Sequence, residues 1–233
     1  MNNSLPRAFV SWSGGKDSTL ALHHILKQNT FKVEFLFVTV NKETQRVSMH
    51  GVRKELITRQ GLSIGIHTRK MYLPSSTDNT MYEQMMKQEM LLMQQRGINN
   101  AVFGDIFLED LKKYREEKLS EINMQAHFPL WKKNTAELYK EFVTLGYKAK
   151  IVSVDLSKLS KDFLGKDLSM ELLNEFPKDV DVCGENGEYH TFVYDGDIFQ
   201  YPIKFELGEM VEKTYTHNGK EFPYAFIDLR LAT

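Results

Sequence analysis

Ser11-Trp12-Ser13-Gly14-Gly15-Lys16-Asp17-Ser18 follows Ala8, Phe9 and Val10, an apolar run that reads as the end of a strand. Beyond it, Ala21 with Ile25 and Leu22 with Leu26 recur four apart, the spacing of one helix face. Strand, glycine-bearing turn and helix in that order make an anion cradle. Glycines let the backbone close on a bulky group, and first-turn amides together with the helix dipole favour negative charge. Ser11, Ser13 and Ser18 add hydroxyl donors and Lys16 adds a cation.

Two common cradles do not fit. The P-loop needs Ser or Thr directly after its lysine, where this chain has Asp17, and it needs a glycine upstream where none stands. A G-x-G-x-x-G turn is also absent. Ser13-Gly14-Gly15-Lys16-Asp17-Ser18 instead resembles the PP-loop, SGG-x-DS, of the ATP pyrophosphatases. That resemblance implies a grip on the β- and γ-phosphates of ATP and cleavage between α and β. A plain strand-to-helix junction with a Ser or Asp cap is the simpler alternative, and the full run of matched residues goes beyond it.

The chain has 233 residues, 42% of them hydrophobic and 26% charged, which is ordinary for one large α/β domain or a domain with an appendage. A formal net charge of -1 gives no reason to expect bulk nucleic-acid binding. No apolar run is long enough to span a membrane, and the polar start Met1-Asn2-Asn3-Ser4 lacks a signal-peptide pattern, so the expected location is cytoplasmic. One cysteine, Cys183, excludes an internal disulfide and a C-x-x-C metal site, and its position suits a buried structural thiol.

Taken in order, Phe31–Val40 reads as a buried strand, Val52–Gln60 as a helix, Gly65–Leu73 as a strand and Thr77–Arg96 as a helix whose Met stripe suits core packing. Asn100–Phe103 is a short strand, Leu108–Met124 a charged helix, Thr135–Leu145 another helix and Lys148–Val154 a strand. His23 and His24 in the first helix read as packing or surface residues. Alternation of this kind predicts a parallel sheet covered on both faces, up to about Asp155. Ligands of such sheets sit at carboxyl ends of strands, so Ser11–Ser18, Ser48–Arg53, Gly104-Asp105 and Pro129–Trp131 are expected to share one cleft. After Asp155 come a short helix at Met170–Phe176 and extended runs at Tyr189–Tyr194, Ile203–Tyr215 and Tyr224–Leu231, with turns at Asp195-Gly196 and Asn218-Gly219. The expected division is a nucleotide domain over 1–155 and a smaller mixed α+β domain over 156–233.

A second cluster of chemistry is Cys183-Gly184-Glu185-Asn186-Gly187-Glu188-Tyr189-His190-Thr191. Strand alternation would put Glu188 and His190 on one side. Carboxylates there could bind an amine, position a metal or act as a base, or they could simply be a solvated turn.

Together with the loop, with Gly104-Asp105-Ile106 and Tyr114-Arg115, and with Pro129-Leu130-Trp131, this cluster resembles the diphthine–ammonia ligase (diphthamide synthetase) family of PP-loop ATPases. The likeness runs from Phe9 to about Asp195. It implies a Rossmann-like fold of the adenine nucleotide alpha hydrolase kind, and a ligase that adenylates a carboxylate with ATP and lets ammonia displace AMP. The family motif is G-E-G-G-E-[FY]-E-T; Asn186 stands where Gly is frequent, His190 where it has Glu, and Asp197 where Pro is usual. Ser48–Arg53 resembles the variant of bacterial relatives, which make no diphthamide, so the resemblance leaves the acceptor open.

On that basis Ser11, Ser13, Gly14, Gly15, Lys16, Asp17, Ser18, His50, Gly104 and Asp105 are expected to hold ATP, with Asp17 and Asp105 holding Mg2+. Lys16, Asp17, Glu185, Glu188 and His190 are expected to be catalytic, the two glutamates capturing or deprotonating ammonium. Arg53 is a further candidate for adenylate or substrate contact. The partners are ATP, ammonium and a carboxylate-bearing acceptor, with a homodimer as a candidate assembly. Competing readings are an ATP- or AMP-sensing module without turnover, and an RNA-modifying PP-loop enzyme. The single cysteine and lack of positive charge argue against the latter.

Overall fold

The structure, a computed structural model, describes residues 4–48, 50–217 and 220–232. Strand β1 (Arg7–Ser11) leads through the loop into α1 (Lys16–Gln28), followed by β2 (Lys32–Asn41), α2 (Lys54–Ile64), β3 (Thr68–Leu73) and α3 (Asn79–Gln95). Then come β4 (Asn100–Val102), α4 (Glu109–Ser120), β5 (Gln125–His127) and α5 (Thr135–Thr144). β1 to β5 form one sheet in the order β3-β2-β1-β4-β5, every pair parallel. The chain winds outward from β1 to β3 and then returns to place β4 on the other side of β1. The order therefore reverses between β1 and β4, which opens a crevice beyond their carboxyl ends.

Period-two alternation sorts the side chains of this sheet. Phe9, Phe35 and Phe37 face one core with Met71, Met90 and Met93 of β3 and α3. Ala8, Val10, Leu36, Val38 and Val40 face the other, packed by Leu20 and Leu22 of α1, Leu56 and Ile57 of α2, and Leu138 and Phe142 of α5. Helices thus cover both faces, as a fully buried parallel sheet requires.

The rest builds a second sheet. It holds β6 (Lys148–Asp155), β7 (Tyr189–Asp195), β8 (Phe205–His217) and β9 (Lys220–Leu231), antiparallel throughout in the order β7-β6-β9-β8, with α6 (Met170–Leu173) beside it. β6 corrects the expectation that the strand ending near Asp155 belongs to the parallel sheet. It follows a helix as a parallel strand does, but it pairs with β7 and β9, and the parallel sheet ends at β5. β5 itself has no signal in the sequence because it is only Gln125–His127, with Pro129 two residues on. The β8–β9 hairpin is formed as expected; its predicted Asn218-Gly219 turn lies outside the described residues.

Candidate active site

The loop leaving β1 takes the shape that glycine permits. Gly14 has φ +81°, and a Cβ there would stand 2.5 Å from Ile57 Cδ1 and 2.6 Å from Gln60 Oε1. A Cβ on Gly104, just after β4, would lie 2.8 Å from the Asp17 carbonyl carbon and 2.9 Å from the Ser18 nitrogen. The loop after β4 and the first turn of α1 therefore touch backbone to backbone across the crevice. Within the loop, Ser18 Oγ donates to the Gly15 carbonyl at 3.0 Å, and the Ser13 and Ser18 hydroxyls stand 3.4 Å apart.

The loop is stitched to the second sheet. The Val193 amide donates to the Gly14 carbonyl at 2.9 Å, and the Lys16 amide donates to Thr191 Oγ1 at 3.0 Å. Gln60 is fully buried on α2; its Nε2 donates to the carbonyls of Gly14 and Val193, while its Oε1 accepts from Trp12 Nε1 at 3.0 Å. The sequence marks this residue only as a polar side chain on the apolar Leu56–Ile57 face of a helix.

Lys16 is buried, with its ammonium 2.8 Å from both carboxylate oxygens of Asp17 and bonded to the Cys183 carbonyl. Burial alone would pull the ammonium pKa down. The adjoining Asp17 carboxylate outweighs that and holds it above the usual lysine range, so Lys16 is charged. Cys183 thus enters the site through its backbone. Its thiol donates to the Thr135 carbonyl at 3.2 Å, and burial pushes its pKa up to about 12, which leaves it unreactive.

Glu185 reaches across to the loop after β4, where its Oε1 accepts from the Ile106 amide at 2.7 Å and the Phe107 amide at 3.3 Å. Burial pushes its carboxyl up to about 7, the Ile106 hydrogen bond opposing, with Asp17 and Asp105 adding to the rise. That is the range a general base needs near neutral pH. Asp105 is bonded to Arg115, whose guanidinium lies 4.3 Å from the Phe103 ring centroid. Burial raises the Asp105 carboxyl and Arg115 opposes it.

His50 and His190 meet from different elements, their ring centroids 4.4 Å apart. His50 Nδ1 pairs with the Thr191 carbonyl at 3.3 Å.

Ser11, Ser13, Lys16, Asp17, Ser18, His50, Gly104, Asp105, Glu185 and His190 all line one cleft of ≈ 1130 Å³. Gly14 and Gly15 shape its wall from behind. The cleft also runs past Tyr82, Met86 and Met90 of α3 and Tyr114 and Arg115 of α4, so part of the Met stripe borders it as well as packing the core. Three expected members stand elsewhere. Glu188 is buried away from the cleft, where its Oε1 accepts from Asn186 Nδ2 at 3.0 Å and the Asp181 amide at 3.3 Å. Alternation fails there because Glu188 precedes β7, which begins at Tyr189. Arg53 turns to Asp228 of β9, Nη2 to Oδ2 at 2.8 Å. Pro129–Trp131 does not line the cleft. In α1, His23 Nδ1 meets the Tyr147 hydroxyl and His24 Nε2 the Glu141 carboxylate, each at 2.9 Å, while His23 Nε2 is buried with no partner among the described residues.

A buried lysine, two hydroxyls and glycines with no room for a Cβ suit a nucleotide's phosphates. Among the described residues no three His, Cys, Asp or Glu groups gather as a metal site. Asp17 and Asp105 are hard oxygen donors in the cleft, each paired with a cation.

A parallel sheet carrying this loop at its switch point, with carboxylates opposite, defines the PP-loop class of ATP-using enzymes. Residues 6–126 match the family model described as the diphthamide synthase N-terminal domain, and residues 134–221 that of its C-terminal domain. The chain is 28% identical to the diphthine–ammonia ligase of Mus musculus over 242 residues, covering 93% of this chain and 88% of that protein. It is 28% identical to the Homo sapiens diphthine–ammonia ligase over 202 residues, covering 83% and 72%. The chain belongs to the diphthamide synthase family, and it is an ATP-dependent amide ligase.

Proposed function

We propose that the cleft adenylates an acceptor carboxylate and then delivers ammonia to it. The observation that carries this reading is the convergence, in one cleft, of a cationic phosphate loop and a carboxylate poised near neutral pH. The acceptor's carboxylate oxygen attacks the α-phosphorus of ATP, and the bond from that phosphorus to the bridging oxygen breaks, so pyrophosphate leaves. Lys16, Ser13 and Ser18 take the charge that develops on the leaving oxygens. Ammonium gives one proton to Glu185, its nitrogen attacks the acyl carbon, and the carbon–oxygen bond to AMP breaks; a second proton leaves for solvent. Glu185 rather than Glu188 carries this step, since Glu185 faces the cleft. Asp17 and Asp105 are the residues that would hold magnesium, which would supply further neutralisation of phosphate charge.

The relatives' name supports diphthine and ammonia as acceptor and nitrogen donor. The parallel sheet with its helices forms the nucleotide side, and the antiparallel sheet the acceptor side. We place the division between β5 and β6 rather than at residue 155, because β6 is integral to the second sheet. The described residues contain no helix long and apolar enough to cross a membrane, and a cytoplasmic location fits the use of ATP.

The test is to incubate the protein with ATP, magnesium, ammonium and candidate carboxylates, diphthine-bearing elongation factor among them. AMP and pyrophosphate should appear in equal amounts, dependent on acceptor, with the amide seen by mass spectrometry. ADP and phosphate, or nucleotide binding with no cleavage for any acceptor, would overturn the reading.

A further inference from the structure

We propose that His50 and His190 form a proton-taking anion subsite, in which a phosphoryl group of the bound nucleotide draws a proton onto the imidazole pair. The proposal rests on the nucleotide reading of the cleft given above.

The two rings lie 4.4 Å apart at 31°, one brought by the segment after β2 and the other by β7. They border the phosphate loop directly: a Cβ on Gly15 would stand 2.9 Å from His50 Cε1. The hydrogen bond from His50 Nδ1 to the Thr191 carbonyl fixes the ring and leaves its Nε2 as the free side. His190 Nε2 is buried with no partner among the described residues, although the residue lines the cleft. A buried ring nitrogen without a partner is destabilising unless a ligand takes it up.

The charges around the pair decide its resting state. Lys16 of α1 acts on both rings and opposes a second positive charge. Asp17 and Glu185 line the same cleft but are committed, Asp17 to the Lys16 ammonium and Glu185 to the Ile106 and Phe107 amides. Burial holds the His50 imidazole down at about 4 and His190 well below its ordinary value, so both are neutral in the free protein. A phosphoryl group placed against them changes the sign of the nearest charge, and an opposite charge within about 4–6 Å favours imidazolium. One proton, shared by the pair, then arrives with the ligand.

The probe is α,β-methylene-ATP with magnesium, which resists cleavage between the α- and β-phosphorus. Nitrogen-15 imidazole spectra of the wild-type protein at pH 6.5 should show one of these two rings passing from neutral to protonated at saturation. Calorimetry in two buffers of different ionisation enthalpy should show more proton uptake for the wild type than for His50→Gln or His190→Gln. Affinity should fall about tenfold in His190→Gln at pH 6.5, equivalent to one pKa unit, and the gap should narrow at pH 8.5. Both rings staying neutral in the saturated complex, or uptake equal in all three proteins, would overturn the proposal and leave the ligase reading standing. Failure of the analogue to bind the wild type at all would overturn both.

Discussion

Among the described residues the Lys16 ammonium is held by the two Asp17 oxygens and the Cys183 carbonyl and lies 5.4 Å from the Tyr189 ring centroid, so phosphate must displace or join these partners. Lys16→Ala should therefore lower pyrophosphate release by about 100-fold or more, the scale of losing one preorganised charge stabiliser. It should also reduce stability by about 1–3 kcal/mol, because Asp17 and the Cys183 carbonyl lose their partner; pyrophosphate assays and thermal melts read the two effects separately. Glu185 has a folded-state carboxyl near 7 against 4.5 for the unfolded chain, a raised value. Between those limits the unfolded state gives up its proton first. The wild type therefore loses stability as pH rises from about 4.5 to 7 and no more above that. Glu185→Gln should gain progressively over wild type across that window in denaturant titrations, by up to about 3 kcal/mol, and should have no advantage below it. Its amide-forming rate should also lose the limb that rises through about pH 7. At this scale the loop was fully legible, since Gly-Gly, Lys16 and the serines are local chemistry. Glu185 was legible as a carboxylate near glycines. Its distinction from Glu188 was not, because it depends on which carboxylate falls just before β7 and which reaches the Ile106 amide.

Strand β7 does for the loop what no single residue of the loop can. Thr191 accepts from the Lys16 amide, Val193 donates to Gly14, and Gln60 of α2 bridges both backbones and Trp12. The phosphate loop is thus fixed by the antiparallel sheet as well as by its own helix. Gln60→Leu keeps the volume but removes the amide, leaving buried carbonyls and the Trp12 indole N–H unpaired. Stability should fall by about 2–4 kcal/mol, and the KM for ATP should rise while a melt still shows a folded protein. A rise in KM alone, with unchanged melting, would mean that the amide bears on ligand and not on the loop. β1, α1, β2 and α3 were readable from periodicity. β6 was misplaced for a reason that periodicity does not carry. A strand after a helix looks the same whether it joins a parallel sheet or starts a new one, and the choice is made by β7 and β9, both far downstream in the chain.

At the scale of the whole molecule the two sheets share one core. Ala8, Val10 and Leu36 of the parallel sheet belong to the same cluster as Val152, Val154 and Phe192 of the antiparallel one, bridged by α1, α2 and α5. Denaturant unfolding should accordingly be a single transition by fluorescence and circular dichroism alike, and two separated transitions would break the argument. Besides the bonds that stitch the phosphate loop to β7, the halves are tied by Asp228 on β9, which accepts from Arg53 at 2.8 Å and from Arg46 at 2.7 Å, with Arg230 at 3.2 Å. Burial alone would raise its carboxyl, but the hydrogen bonds from Arg53 and Arg46 outweigh it and hold it well below the usual carboxylate range. Because the folded value is depressed, its contribution is complete above the unfolded value of 3.8 and is lost as pH falls below that. Asp228→Asn should then unfold about 1–3 kcal/mol more easily than wild type at pH 7. The gap should be constant from pH 5 to 8 and close as pH drops below about 4. Arg46 and Arg53 flank the segment that presents His50 to the phosphate loop. The same substitution should therefore weaken nucleotide binding at neutral pH even though Asp228 lines a separate groove. Unchanged nucleotide affinity alongside the stability loss would confine Asp228 to holding the halves together.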